Sequence, residues 1–227
     1  MKKKILSIII FIVFSSKAIA HLDHYKDINL LEYELFRNDK SIGYHNYVFE
    51  RNEDILYVES DINFKITKLG IDIYKYLGQT KEQYKGNQLI KFSSNTNQNK
   101  KIKNTEINLD KEKNHLVISG SQNQLISPKE YPVGTWWNHE IAQAKAQISA
   151  VSGRIIDQKT VFIGKEKIAL YGKNYNALRF NFTSTDSSLP ENKKLNIDVW
   201  YEEETNVWLK AAFNKSGYWE YRLKKNN

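Results

Sequence analysis

Residues 31–66 read LEYELFRNDKSIGYHNYVFERNEDILYVESDINFKI. Leu31, Tyr33 and Leu35 alternate with Glu32 and Glu34, and Asn38-Asp39-Lys40 then supplies a turn. Residues 42–49 follow, with Tyr47 and Phe49 on one side and Asn46, Val48 and Glu50 on the other. Asn52-Glu53-Asp54 is the next turn. Leu56, Val58, Ile62, Phe64 and Ile66 then share one parity, with Ser60 as the polar break. A period of two builds half-buried strands. Connections this short join antiparallel neighbours, because parallel strands need a crossover of a dozen residues or more.

The same pattern continues outward. Residues 71–76 read as a strand, 83–92 and 104–109 as weaker ones, and 115–119 as a short apolar strand ended by Gly120. The alternation then breaks at Pro128 and Pro132. Residues 135–146 are Ala-rich, and Trp137, Ile141 and Ala144 recur at helical spacing. We expect a helix there, started by Thr135 or by Asn138 as the N-cap. Strands resume over 153–163, which is expected to turn at Gly164-Lys165 into a partner over 165–171. Further strands are expected at 175–182, 195–201, 207–213 and 218–223, with Glu202-Glu203-Glu204-Thr205-Asn206 as a solvated turn. A sheet of about a dozen strands curls. The fold expected is mainly β: a curved antiparallel sheet or partly open β-barrel, with one short helix covering an opening.

The chain has 227 residues, 41% of them hydrophobic and 13% aromatic, and no cysteine. Disulfides, thiol nucleophiles, Cys-ligated zinc and iron–sulfur clusters are excluded. Lys2-Lys3-Lys4 precedes an apolar run over residues 5–14, and Ala18-Ile19-Ala20 closes the segment as a small-x-small triplet. That is the layout of a secretory signal peptide cleaved after Ala20. The apolar run is about half of the roughly 20 residues a spanning helix needs. No transmembrane segment is therefore expected after cleavage, and residues 21–227 are expected to form a single β-rich domain in the periplasm or outside the cell. Residues 1–20 hold four lysines and no acid, so their removal lowers the net charge from +8 to +4. The remaining basic clusters are short and separated, which argues against nucleic acid as a partner.

Several blocks follow one another along the chain: Asn38-Asp39-Lys40-Ser41-Ile42-Gly43, Gly70-Ile71-Asp72-Ile73-Tyr74, and Glu82-Gln83-Tyr84-Lys85-Gly86-Asn87-Gln88-Leu89. Thr135-Trp136-Trp137-Asn138, Ser152-Gly153, Asp198-Val199-Trp200-Tyr201 and Val207-Trp208-Leu209-Lys210 follow, and 217–222 closes the set. Together they resemble an uncharacterised domain-of-unknown-function family of exported β-rich proteins from Gram-negative bacteria. The closing turn departs from the family pattern, being acidic and lacking a glycine. The resemblance implies a β-rich envelope protein and no established activity. A more distant likeness, of architecture alone, is to periplasmic lipoprotein carriers, half-open barrels with a helical lid.

The candidate chemistry is thin. No zincin, G-x-S-x-G, Walker or G-x-G-x-x-G motif is present. His21 and His24 would flank a new N-terminus, where a frayed end competes with copper or zinc binding. His45 and His115 sit in separate strands without metal-ligand spacing. We expect no metal site, no cofactor and no catalytic residue. Trp136, Trp137, His139, Phe180 and Trp200 are the candidate ligand-binding residues, because aromatic rings on a curved sheet can line an apolar groove. The partner expected is a hydrophobic small molecule such as an acyl chain. One alternative is an envelope protein bound through a sheet edge. Another is a hydrolase centred on His139 and Glu140.

Overall fold

The structure, a computed structural model, describes residues 25–120 and 124–226. Residues 1–24, which hold the expected signal peptide, His21 and His24, lie outside the described residues. The first eight strands are β1 (Leu30–Arg37), β2 (Lys40–Asn52), β3 (Ile55–Lys68), β4 (Ile71–Lys85), β5 (Gln88–Gln98), β6 (Lys101–Asp110), β7 (His115–Gly120) and β8 (Leu125–Pro128). After a crossing segment come β9 (Ala146–Ile148), β10 (Ile155–Leu170), β11 (Lys173–Ser184), β12 (Asn196–Glu202), β13 (Trp208–Asn214) and β14 (Tyr218–Asn226).

All fourteen strands make one antiparallel sheet in the order β8-β7-β6-β5-β4-β3-β2-β1-β14-β13-β12-β11-β10-β9. Neighbours in sequence are neighbours in the sheet, and the pairing of β1 with β14 joins the two halves. The sheet is curved and does not close, since β8 and β9 end the order without pairing. Among the described residues no helix is long and apolar enough to cross a membrane, which leaves strands out of account.

The parity read from the sequence is the parity of burial. Leu31, Tyr33, Leu35, Tyr47, Phe49 and Val58 are buried on the inner face, while Val48 stays exposed. The turns follow their chemistry. A two-residue hairpin of type I′ needs φ > 0 at both central positions. Asn38 and Asp39 supply 47° and 61°, and Asn99 and Lys100 supply 50° and 70°. The acidic closing turn has Asn206 at φ 54° in place of a glycine.

Gly43 has a packing role. A Cβ there would lie 2.0 Å from the Asn63 carbonyl oxygen and 2.6 Å from the Phe64 Cα, both on the facing strand. Gly43→Ala is therefore expected to force β2 away from β3 and cost about 2 kcal/mol of unfolding free energy, the usual scale of overpacking. Urea titration of the two proteins at one pH checks this, and an unchanged midpoint would refute it.

Three expectations need correction. The turn at Gly164-Lys165 does not exist: β10 runs on to Leu170 with a register shift between Phe162 and Gly164. Chain reversal waits for Tyr171 and Gly172, whose φ values of 47° and 82° make the two-residue turn. Residues 83–92 are not one strand, because Gly86, at φ 55°, sits in the turn that ends β4 and lets β5 begin at Gln88. The helix expected over 135–146 shrinks to a 3-10 turn, His139–Ala142. Asn138 does cap it, its side chain accepting from the Glu140 amide. The next residues leave the helical path to form β9, which pairs with β10. The Gln158 side-chain amide takes the carbonyls of Ile141 (2.8 Å) and Ala144 (3.1 Å), groups a longer helix would have used itself. Helix propensity is worth only tenths of a kcal/mol per residue, so tertiary pairing overrides it.

Candidate functional site

The segment between β8 and β9 crosses the inner face of the sheet as a strap. Three tyrosines from separate elements hold its consecutive carbonyls. Tyr47 donates to Thr135 O (2.8 Å), Tyr201 to Trp136 O (2.9 Å) and Tyr25 to Trp137 O (2.6 Å). Buried backbone must find such partners, and here side chains provide them where no ladder reaches. Trp136 adopts φ 59°, a left-handed conformation uncommon for a large residue. That reversal sends the two neighbouring indoles to different places.

Trp137 is fully buried. Its ring meets Tyr25, Phe49 and Tyr84 edge-on at centroid distances of 5.4, 5.3 and 5.5 Å. Its Nε1 donates to Glu82 Oε1 (3.0 Å), and the Tyr84 hydroxyl donates to Glu82 Oε2 (2.7 Å). Burial pushes the Glu82 carboxyl up to about 7, against the pull of these two hydrogen bonds.

Trp136 lies instead against Trp208 and Tyr221, each at 5.6 Å, and walls a cavity of about 270 Å³ between strap and sheet. The sheet contributes His45, Ser60, Ile62, Tyr76, Thr80, Thr96 and Tyr221. The strap and the chain after it contribute Thr135, Gln147, Ala150, Ile156 and Leu195. On the sheet side three polar groups stand together: Ser60 Oγ and Thr80 Oγ1 are 2.8 Å apart, and His45 Nε2 is 3.4 Å from Ser60 Oγ. Burial pushes the His45 imidazole down to about 3, so it is neutral at neutral pH. His45 Nδ1 and Trp136 Nε1 have no hydrogen-bond partner among the described residues. An apolar wall with a few hydroxyls and a neutral imidazole suits a mostly apolar ligand carrying one polar group.

Of the five residues singled out from the sequence, the structure brings only Trp136 to this cavity. Trp137 is in the core behind it. His139 packs against Tyr201 with ring centroids 6.4 Å apart. Phe180 sits between Phe162 (5.3 Å) and Tyr201 (6.1 Å). Trp200 points to the other side of β12, where Arg179 and Lys210 each lie 4.9 Å from its ring and Glu166 accepts from its indole. Arg179 also pairs with Asp198 (2.6 Å), and Lys210 with the buried Glu220 (2.5 Å). Glu140 faces another opening, beside Tyr84 and Gln88, so the adjacent His139 and Glu140 have different neighbours. Among the described residues no three His, Asp or Glu side chains converge as a metal site.

His45 and Glu82 were absent from the sequence candidates. The signal for both was parity: His45 shares it with Tyr47 and Phe49, and Glu82 with Tyr84, so each is a polar residue in an inward position.

A family model described as "Domain of unknown function (DUF6134)" matches residues 33–224. No curated protein matches the chain. Among solved structures, the chain is similar to a β-barrel-like protein of domain of unknown function DUF1849 from Brucella abortus. The TM-score is 0.62 at 11% identity, covering 88% of this chain and 97% of that one. Identity that low speaks to the fold alone.

Proposed function

Because the chain belongs to the DUF6134 family, a domain of unknown function, its role has to be read from its own cavity, and we propose that it is an exported, non-catalytic protein that binds a small hydrophobic ligand between strap and sheet. The observation that carries this reading is the 270 Å³ cavity, largely apolar, with His45, Ser60 and Thr80 grouped on its sheet wall. Small-molecule sites run from about 300 to 1,000 Å³, so this one falls just below that range. It suits a single short acyl chain or a one-ring amphiphile better than a two-chain lipid. Ser60, Thr80 and His45 would hold the polar group, and Trp136, Ile62 and Tyr221 the apolar body. Export to the periplasm or beyond rests on the basic, apolar and small-residue layout of residues 1–20.

Binding another protein through a sheet edge is less well supported. β8 has four residues and ends in Pro128. The open side of β9, three residues long, carries a bridge from Ile148 to Val133. Short strands and proline blunt an edge against strand addition.

Native mass spectrometry of the protein, purified gently from its own envelope, tests both parts. The expected spectrum has a chain starting at His21 and a retained small-molecule mass. Ala150→Phe, which fills the cavity, is expected to lose that mass while keeping the circular dichroism of the parent. A bare parent protein that also takes up no added decanoic acid would overturn the binding reading, and a chain retaining residues 1–20 would overturn export.

A further inference from the structure

We propose that the hairpin tip formed by the ends of β3 and β4, with the neighbouring tip of β5 and β6, docks on an anionic lipid bilayer. The tip carries large aliphatic side chains in water: Leu69 is 93% exposed, Ile71 68%, Ile73 53% and, on β6, Ile102 63%. Antiparallel order sets the turns at Leu69-Gly70 and Asn99-Lys100 at the same end of the sheet. Asn99 fastens the two together, accepting from the Lys75 amide (2.7 Å) and donating to the Ile73 carbonyl (3.3 Å).

Leu69 is the telling residue. It holds φ 52° ahead of Gly70 at 78°, the two-residue turn whose first position favours Asn, Asp or Gly. Among the equivalent turns of this sheet, Asn38 and Asn99 stand there, and so does Tyr171, whose hydroxyl is tied back to Glu34 (2.6 Å). A leucine gains nothing in the fold from that position, since its side chain touches almost nothing, and it suffers the left-handed strain. Strain held without a folding return points to function.

The charge around these side chains selects the partner. Residues 63–77 and 98–104 contain six lysines and one acid, Asp72. Asp72 lies between Lys65 (3.7 Å) and Lys75 (3.1 Å). Lys68, Lys100, Lys101 and Lys103 are left to the surroundings of the apolar tip. Projecting aliphatic residues ringed by lysines match a bilayer surface, where acyl chains take the first and anionic headgroups the second. Nucleic acid would use the lysines and leave the aliphatic tip wet. The surface lies at the turn end of β3 and β4, about seven residues beyond Ile62 and Tyr76 of the cavity, so it stands independently of the ligand reading.

The full chain has no cysteine, so Leu69→Cys creates a unique thiol for an environment-sensitive dye. Glu53→Cys, exposed at φ 55° in the turn at the opposite end, is the control. With phosphatidylglycerol vesicles the dye at 69 is expected to shift to the blue, with phosphatidylcholine vesicles it is not, and the dye at 53 responds to neither. Combining Lys68→Gln, Lys101→Gln and Lys103→Gln is expected to weaken the response on the order of 100-fold. Raised salt should weaken it too. No shift at 69, an equal shift at 53, or a response indifferent to the lysines would overturn the proposal. The first of these would point to an acidic protein as the partner instead.

Discussion

Trp137→Ala is expected to lower the unfolding free energy by about 5 kcal/mol. Truncating a buried tryptophan typically costs 3–5 kcal/mol in lost contacts and cavity. Trp137 is fully buried, and its ring contacts three separate aromatic neighbours. The substitution also strips Glu82 Oε1 of its donor inside the core, which adds roughly 1–3 kcal/mol for an unsatisfied buried group. Domains of this kind have only about 5–15 kcal/mol in total, so the variant should be partly unfolded at 37 °C. Trp137→Phe separates the two contributions. It keeps most of the ring and loses the N–H, so its cost should be nearer 2 kcal/mol. That cost should grow with pH, because the lost hydrogen bond served the charged carboxylate. Urea titrations of both variants at pH 5 and pH 8 measure this. A Phe variant equally stable to the parent at both values would show that the indole–carboxylate bond does not hold the strap.

Glu82→Gln should make the protein more stable at pH 8 and leave it nearly unchanged at pH 4.5. The carboxyl's ordinary value is 4.5, and burial raises it to about 7. Between those values the folded state holds a proton that the unfolded state has released. Stability from this group is therefore full below pH 4.5, falls as pH rises, and is gone above 7. The loss integrates to about 3 kcal/mol. Glutamine has the same shape and no charge, so it escapes the loss. His45 runs the other way. Its pKa is depressed from 6.5 to about 3 by burial, so its contribution is full above pH 6.5 and is lost as pH falls. In the parent the two slopes oppose each other between pH 4.5 and 6.5. In Glu82→Gln only the rising slope from His45 remains. A Gln variant whose stability differs from the parent by the same amount at pH 4.5 and 8 would mean that Glu82 does not titrate in this range.

Much of the sheet was legible because the deciding signal is local. Whether Tyr47 or Val48 faces inward depends on parity within one strand, and the hairpin turns lie in adjacent residues. The misread segments are those where two local signals competed. Gly164 is a strong turn former, but the pairing of β10 with β11 carries the chain through it as a register shift, and the reversal falls at Tyr171-Gly172. Residues 135–146 have helical composition, but Ile148 and Gln158 claim the chain for strand pairing and side-chain hydrogen bonds. The candidate site was less legible. Five aromatic and polar residues were proposed from composition, and only Trp136 walls the cavity. Trp200 failed to reach it by parity, which was readable: it alternates with Val199 and Tyr201, the inward residues of β12.

The sequence by itself determined most of the longer strands, the antiparallel succession of neighbours and much of the inward set of side chains. Each follows from residues within a few positions of one another, where φ/ψ preference and period-two burial act directly. Only the tertiary structure decided that β1 closes on β14, that a strap crosses the inner face, and that a cavity remains beneath it. These rest on contacts between residues far apart in the chain, such as Tyr25 with Trp137 across 112 positions and Trp137 with Glu82 across 55. The same contacts bury Glu82 and His45, and burial sets their charge. Desolvation is a property of the assembled surroundings, so no local pattern around a glutamate or a histidine contains it.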